Sequence, residues 1–331
     1  MENFYLAVQR WTEKKLTQRK AKRLYQKQHR TFVSEVLEWL DALVFAVFAV
    51  LLINQFVFQL FVIPSPSMED TLLIGDRVLV SKLTYGIEIF PDGPKIFANR
   101  TPDRDDIITF YNPEYESRGP VFDTLTQIIY MGTLSLVNID KNPDGSPRER
   151  LLVKRAAGVA GDTVTFENGD AKIKLSGTGE YVDGASWRAR NGYVTSPKRS
   201  IKPEVYTAYT ALGRLDGMTK AGIGKKNLPV HLIKDQLSVD ENEFYTDYYG
   251  YSKASAEGMR IADPSDVQAR SLWMKLKLGS YVPDGYVLPL GDNRDNSSDG
   301  RYFGPVNVKK VNGFVCSRIW PVNRLASLVN L

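Results

Sequence analysis

The chain has 331 residues, 43% apolar and 24% charged, enough for a packed core without covalent staples. A single cysteine excludes an internal disulfide and a zinc site of paired thiolates, and two histidines, His29 and His231, leave no room for a multi-histidine site. The net charge of +5 lies in residues 1–40, which hold nine Lys and Arg against four Glu, so the remainder is neutral.

A basic tail on a neutral body is either a nucleic-acid arm or the flank of a membrane segment. The segment next to it decides between them. Residues 42–63 carry no charge, and only Asn54, Gln55 and Gln59 among them are polar. A helix of about 20 such residues crosses a bilayer. A buried core helix is the rival, but few soluble helices are apolar on every face over this length. We therefore expect a transmembrane helix over 41–62, with strand character from Leu60 onward, and no nucleic-acid partner. Only Arg77 and Lys82 are basic in the first 25 residues beyond the run. That asymmetry places the tail in the cytoplasm and residues 64–331 outside it. The run is too long, and the tail before it too extended, for the core of a cleaved signal peptide.

Beyond the span, residues 76–90 and 105–111 read as strands. The uncharged stretch 124–139 is too short to cross a bilayer. It is a core helix, a strand pair, or a segment lying in the membrane interface. Residues 151–166 read as strand, turn at Gly161-Asp162, and strand. Residues 167–280 are less apolar, with helices around 203–215 and 265–278, the second opened by a Ser265–Gln268 capping box. Strands return at 281–290, after a Pro-Asp-Gly turn, and at 313–320. The fold class is mainly β: an N-terminal transmembrane helix, an antiparallel β-sheet catalytic body (63–166 and 281–331), and a mixed α/β insertion lobe (167–280).

Three segments carry chemistry. Ser67 sits in Ile63-Pro64-Ser65-Pro66-Ser67-Met68, a proline-stiffened entry to an apolar stretch. A serine nucleophile needs a base. His29 is on the wrong side of the membrane and His231 lies in the insertion. Lysine can serve if it is neutral, and Lys154 lies in the apolar run Leu151-Leu152-Val153-Lys154-Arg155-Ala156-Ala157. Lowering a lysine pKa from about 10.4 to about 8 takes roughly 3 kcal/mol of disfavoured charge, which burial at a strand end can supply. The third segment, 291–304, holds five charges, two Asn and two Ser. Its oxygens suggest calcium, but the EF-hand glycine and final glutamate are missing, and Arg294 and Arg301 would neutralise the acids. A salt-bridged support loop fits better.

The patterns S-x-S-M-x-x-T-L-x-x-G-D, K-R-x-x-G-x-x-G-D and G-D-N-R-D-N-S-x-D-x-R-Y-F-G, in this order behind an apolar span, resemble the type I signal peptidase (leader peptidase) family of Ser–Lys membrane proteases. Residues 318–324 also resemble the family's C-terminal end. The resemblance covers 42–111, 151–166 and 281–324. Asp70 stands where a proline commonly precedes the Thr-Leu pair, and Pro66 where a small residue is usual. The resemblance implies Ser67 as nucleophile and Lys154 as general base. Ser297 would orient the lysine, and the Ser65 hydroxyl with the Ser67 N–H would form the oxyanion hole. It implies support pairs Asp292–Arg155 and Asp299–Arg301, and shallow pockets shaped by Ile63, Met68, Leu72, Leu152 and Val153. No cofactor and no metal are implied. The implied partners are signal peptides of exported preproteins, the lipid bilayer and the export translocon, at a bacterial cytoplasmic membrane. A penicillin-binding enzyme would need a K-T-G that is absent, and a self-cleaving repressor would be soluble. An inactive membrane-anchored paralogue or scaffold would be expected to have lost Ser67 or Lys154.

Overall fold

The computed structural model describes residues 2–28, 31–90, 92–192, 198–199, 201–237 and 247–329; His29 lies outside them. The chain divides into two compact units, Met1–Leu51 and Leu52–Leu331. The first holds helix α1 (Glu2–Gln28) and most of α2 (Phe32–Phe56). Thr31 and Ser34 open α2 by a reciprocal pair, each backbone N–H donating to the other's hydroxyl. An 18-residue window of α2 has a mean hydropathy of 2.4, long and apolar enough to cross a membrane. The helix ends six residues before the expected boundary at 62. Its last apolar residues are followed by β1 (Phe58–Val62), whose Phe, Leu, Phe and Val favour strand.

The second unit is built on a curled antiparallel sheet. After β1 come β2 (Arg77–Ser81), a small hairpin of β3 (Ile87–Glu88) and β4 (Lys95–Ile96), β5 (Ile107–Tyr111), helix α3 (Pro120–Gly132) and β6 (Leu151–Gly158). The region expected as an insertion begins within β7 (Thr163–Glu167) and contains β8 (Asp170–Lys174), β9 (Tyr181–Asp183), α4 (Gly184–Arg190), α5 (Tyr206–Lys220), α6 (Val230–Gln236), α7 (Tyr248–Ala262) and α8 (Val267–Leu278). The chain returns through β10 (Ser280–Tyr281), β11 (Tyr286–Leu290), α9 (Gly300–Phe303), β12 (Val306–Asn307), β13 (Val311–Trp320) and β14 (Ala326–Ser327). The main sheet runs β1-β2-β13-β5-β6-β11-β12, with β14 beside β13; β7, β8, β9 and β10 make a second sheet.

Two features of this order matter for function. Strand β1 pairs only with β2, so its other edge is open. Strand β6 pairs with β5 through residues 151–155, but with β11 only from Arg155 onward, so the side of residues 151–154 that faces away from β5 is also open. Phe61, Ile63, Met68, Leu72, Leu151 and Val153 share one core cluster beneath these two edges. The insertion shares a core with the sheet: Phe166, Ala171, Ile173 and Tyr249 pack with Val282, Leu288 and Leu290. Helix α8 is capped by Asp266, whose carboxylate accepts from the Gln268 and Ala269 N–H groups. The expected Ser265–Gln268 box does not form, because Ser265 donates its hydroxyl to Asp263 instead.

The stretch 124–139 is neither a strand pair nor a core helix. Helix α3 turns Asp123, Thr126, Gln127 and Met131 inward, a largely polar face, at the spacing of one helical stripe. Outward it shows Val121, Leu125 and Ile128, which are 73%, 52% and 46% exposed, and the turns after it expose Leu134, Leu136, Val137 and Ile139. The usual polarity of a surface helix is reversed. The Ser135 hydroxyl donates to the Leu60 carbonyl at 2.6 Å and ties this segment to β1.

Candidate active site

Ser67 is presented by a 3-10 turn, Pro66–Met68, between β1 and β2. Pro66 takes the first position of that turn, where its missing N–H costs nothing. The chain then passes through Asp70 at φ 81°. Aspartate tolerates this left-handed region, whereas a proline ring holds φ near −65°. The departure from the family pattern at this position is thus matched by the backbone, which excludes proline.

Lys154 is the fourth residue of β6 and is 2% exposed. Its Nζ lies 2.7 Å from Ser67 Oγ and donates to the Val153 carbonyl at 3.2 Å. Burial drives its pKa below the usual lysine value, against the upward pull of Asp299, Glu149 and Asp292. A lysine in that state accepts the serine proton across a hydrogen bond already formed. Ser65 Oγ stands 3.4 Å from Ser67 Oγ, on the turn's entry side.

The polar loop 291–304 closes over this pair. The Asn293 N–H donates to the Ser67 carbonyl at 3.0 Å, and the Asn293 side chain donates to Glu69 at 3.1 Å. Arg155 and Asp292, each 1% exposed, form a two-pronged pair at 2.9 and 2.6 Å. Thr71 donates its hydroxyl to the same carboxylate at 2.6 Å, so the turn after Ser67 and the strand of Lys154 are clamped by one acid. Burial would raise the Asp292 pKa, but the Arg155 guanidinium outweighs it and holds the group down to about 2. Arg301 binds Asp299 at 2.9 and 3.1 Å and reaches back to the Arg294 carbonyl at 2.5 Å. Asp299 also accepts the Gly291 N–H at 2.9 Å.

Ser297 lies beside the pair, but its Oγ is buried without a hydrogen-bond partner among the described residues. The hydrogen bond to Lys154 that the resemblance implies is not formed, since the amine faces Ser67 and Val153. Gly291 is where the loop passes closest: a Cβ there would come 2.2 Å from Ser297 Oγ and 2.6 Å from the Ser67 carbonyl. Only glycine allows that approach.

Between the open edges of β1 and β6 a narrow slot of about 10 Å³ leads to the serine, lined among others by Phe61, Ile63, Met68, Leu152 and Val153. Leu72 does not line it. That side chain is fully buried in the core cluster beneath the site, so its expected place in a substrate pocket is corrected to packing support. His231 is exposed on α6.

A family model described as "Signal peptidase, peptidase S26" matches residues 36–213 and 223–320. The chain belongs to this peptidase family. Among its curated relatives, Signal peptidase I of Haemophilus influenzae is 28% identical over 285 residues, covering 85% of this chain and 68% of the relative. Signal peptidase I of Aquifex aeolicus is 26% identical over 271 residues, 81% of this chain and 77% of the relative. That of Helicobacter pylori is 26% identical over 299 residues, 85% and 81%.

Several site residues carry no signal that sequence reading could weigh. Thr71 and Asn293 act through geometry: one joins the Arg155–Asp292 pair and the other holds the serine's own carbonyl. Phe61, Pro64, Glu149 and Leu151 line the slot only because two distant strand edges meet there.

Proposed function

We propose that this chain is a membrane-bound serine endopeptidase that removes signal peptides from exported preproteins, with Ser67 as nucleophile and Lys154 as general base. The observation that carries the proposal is the 2.7 Å contact between a fully buried lysine amine and a serine hydroxyl. The amine is held by a hydroxyl and a carbonyl rather than by a carboxylate. A scaffold would gain nothing from such a lysine, whose burial costs stability. The family and its relatives, named for signal peptidase, support the substrate class.

The substrate binds as an extended strand between the open edges of β1 and β6, which supply backbone hydrogen bonds on both sides. The slot's small volume admits small side chains at the first and third positions before the cut. Ser67 Oγ attacks the scissile carbonyl while Lys154 takes its proton. The Ser65 hydroxyl and the Ser67 N–H stabilise the oxyanion, a contribution of about 3–4 kcal/mol per donor in comparable sites. Lys154 then gives the proton to the leaving amine. Water, deprotonated by the same amine, attacks the ester and releases the signal peptide. The Arg155–Asp292 and Asp299–Arg301 pairs hold the loop over the dyad, and a small rotation would let Ser297 reach the amine.

This chemistry fixes the pH dependence. The active form is the neutral amine, so kcat/KM rises with pH as Lys154 loses its proton, with an apparent pKa below the ordinary lysine value of about 10.4. A rate profile measured between pH 6 and 10 in detergent tests this, and a flat profile would remove lysine as the base.

The same reading puts α2 across the bacterial cytoplasmic membrane as the single span, the basic tail inside, and the sheet outside against the lipid with the outer face of α3 resting on it. The export translocon is a natural neighbour there. In a Cys316→Ser background, an impermeant maleimide added to spheroplasts should label Lys226→Cys quickly and Ile128→Cys slowly. It should miss Lys14→Cys until the membrane is opened. Labelling of position 14 in intact spheroplasts would reverse the topology, and equal rates at 128 and 226 would lift α3 off the lipid.

A further inference from the structure

Helix α3 roofs a cavity of about 190 Å³ whose other walls are Phe61 and Val62 of β1 and Leu151 of β6, with Thr126, Gln127 and Tyr130 facing it from the helix. Phe61 and Leu151 line both this cavity and the slot at Ser67, so the cavity extends the substrate groove away from the catalytic pair. An engineered apolar cavity of ~150 Å³ holds a benzene ring, so one large apolar side chain fits here. Phe61 and Tyr130 meet edge to face at 6.4 Å and give it an aromatic wall.

Gln127 is 7% exposed, and its side-chain NH2 has no hydrogen-bond partner among the described residues. A buried donor left unpaired is costly, and a ligand that brings a carbonyl repairs it. An extended peptide brings a row of carbonyls.

The path of the chain gives the groove its direction. Strand β1 begins at Phe58, two residues beyond the end of α2, so its Phe61 end is nearer the span than its Ile63 end. The part of a signal peptide before the cut stays with the membrane and enters from that end. The slot takes the first and third residues before the cut. At roughly 3.3 Å of rise per residue, the stretch beside Phe61 and Leu151 then meets about the fifth.

We propose that the cavity under α3 is a further subsite of the peptidase, taking a large uncharged side chain at about the fifth residue before the cleaved bond while the Gln127 amide donates to a substrate backbone carbonyl. The proposal deepens, and rests on, the signal-peptidase reading above.

Two synthetic peptides with the same residues around the cut test it on the full chain in detergent. One starts three residues before the cut; the other extends to eight, with leucine at the fifth. The readout is the ratio of their kcat/KM values, which cancels any general loss of active protein. The native chain should favour the long peptide by about tenfold or more, and aspartate at the fifth position should abolish that preference. Gln127→Ala should lower the ratio about three- to tenfold, the effect of one hydrogen bond between uncharged groups. Thr126→Trp, which fills the cavity, should bring the ratio near one. A ratio near one in the native chain, or a ratio untouched by both substitutions, would overturn the subsite. A second measurement needs neither cleavage nor those variants. The long peptide, with benzoylphenylalanine at the fifth position, is irradiated with the Ser67→Ala chain. Label within residues 120–132 supports the subsite, and label confined elsewhere overturns it. Labelling of α3 by a peptide that the native chain does not cut would sink the catalytic reading alone.

Discussion

Ser67→Ala and Lys154→Ala should each lower kcat/KM for precursor cleavage by about 10⁴-fold or more, and the double substitution should be no worse than either single one, as for groups that act as a unit. Lys154→Arg should be equally inactive, because a guanidinium keeps its proton at any working pH. Retention of activity within tenfold in either alanine variant would dissolve the dyad. His231→Ala should be silent, since that side chain is exposed on α6. A lowered lysine pKa alone does not pick out the base. Lys82 is also buried, and burial brings it down to about 8, yet its amine donates to Asn312 at 2.6 Å rather than to a serine. The neighbouring hydroxyl, not the burial, distinguishes Lys154.

The second large effect concerns stability. Arg155 and Asp292 are both excluded from solvent, so removing one leaves the other charged and unpaired. Asp292→Ala or Arg155→Ala should cost about 3–5 kcal/mol and lower Tm by roughly 8–15 °C. Thr71 and the Ser67 turn lose their tether in the same step, so activity should fall before the fold melts. The sign with pH is defined. The Asp292 pKa is held near 2 in the fold, below the value of about 4 for a free carboxyl. Its contribution is present in full above about pH 5 and fades as pH falls through 4 toward 2. Thermal melts of native chain and Asp292→Ala should therefore differ by a constant amount at neutral pH and converge in acid. A difference in Tm under about 2 °C at pH 7 would show that the pair carries no such load.

How far the sequence reaches depends on what kind of force sets each feature. The span is legible because a long uncharged apolar run has few soluble explanations, although the helix stops at Phe56 where β-favouring residues take over. Strands β2, β5, β6, β11 and β13 are legible from alternation and β-branched content. Ser67 and Lys154 can be paired only through the order of three motifs, since each alone is an ordinary serine or lysine. Local sequence does not show that the open edges of β1 and β6 face one another, because that depends on how the whole sheet curls. It also does not orient α3: an uncharged run hides which face turns inward, and here the polar face does. The α8 cap sits one residue later than the capping box predicts, because Asp263 captures Ser265 first. Leu72, expected in a pocket for being next to the motif, points into the core instead.

The most direct measurement is to digest one purified secretory precursor with the full-length chain in detergent and determine the masses of both products. A Ser–Lys signal peptidase yields one mature protein and one signal peptide that ends in a small residue with another small residue two positions earlier. Both products should be absent from the Ser67→Ala digest. An uncut precursor, a cut that ignores those positions, or the same two masses from the Ser67→Ala chain would contradict it.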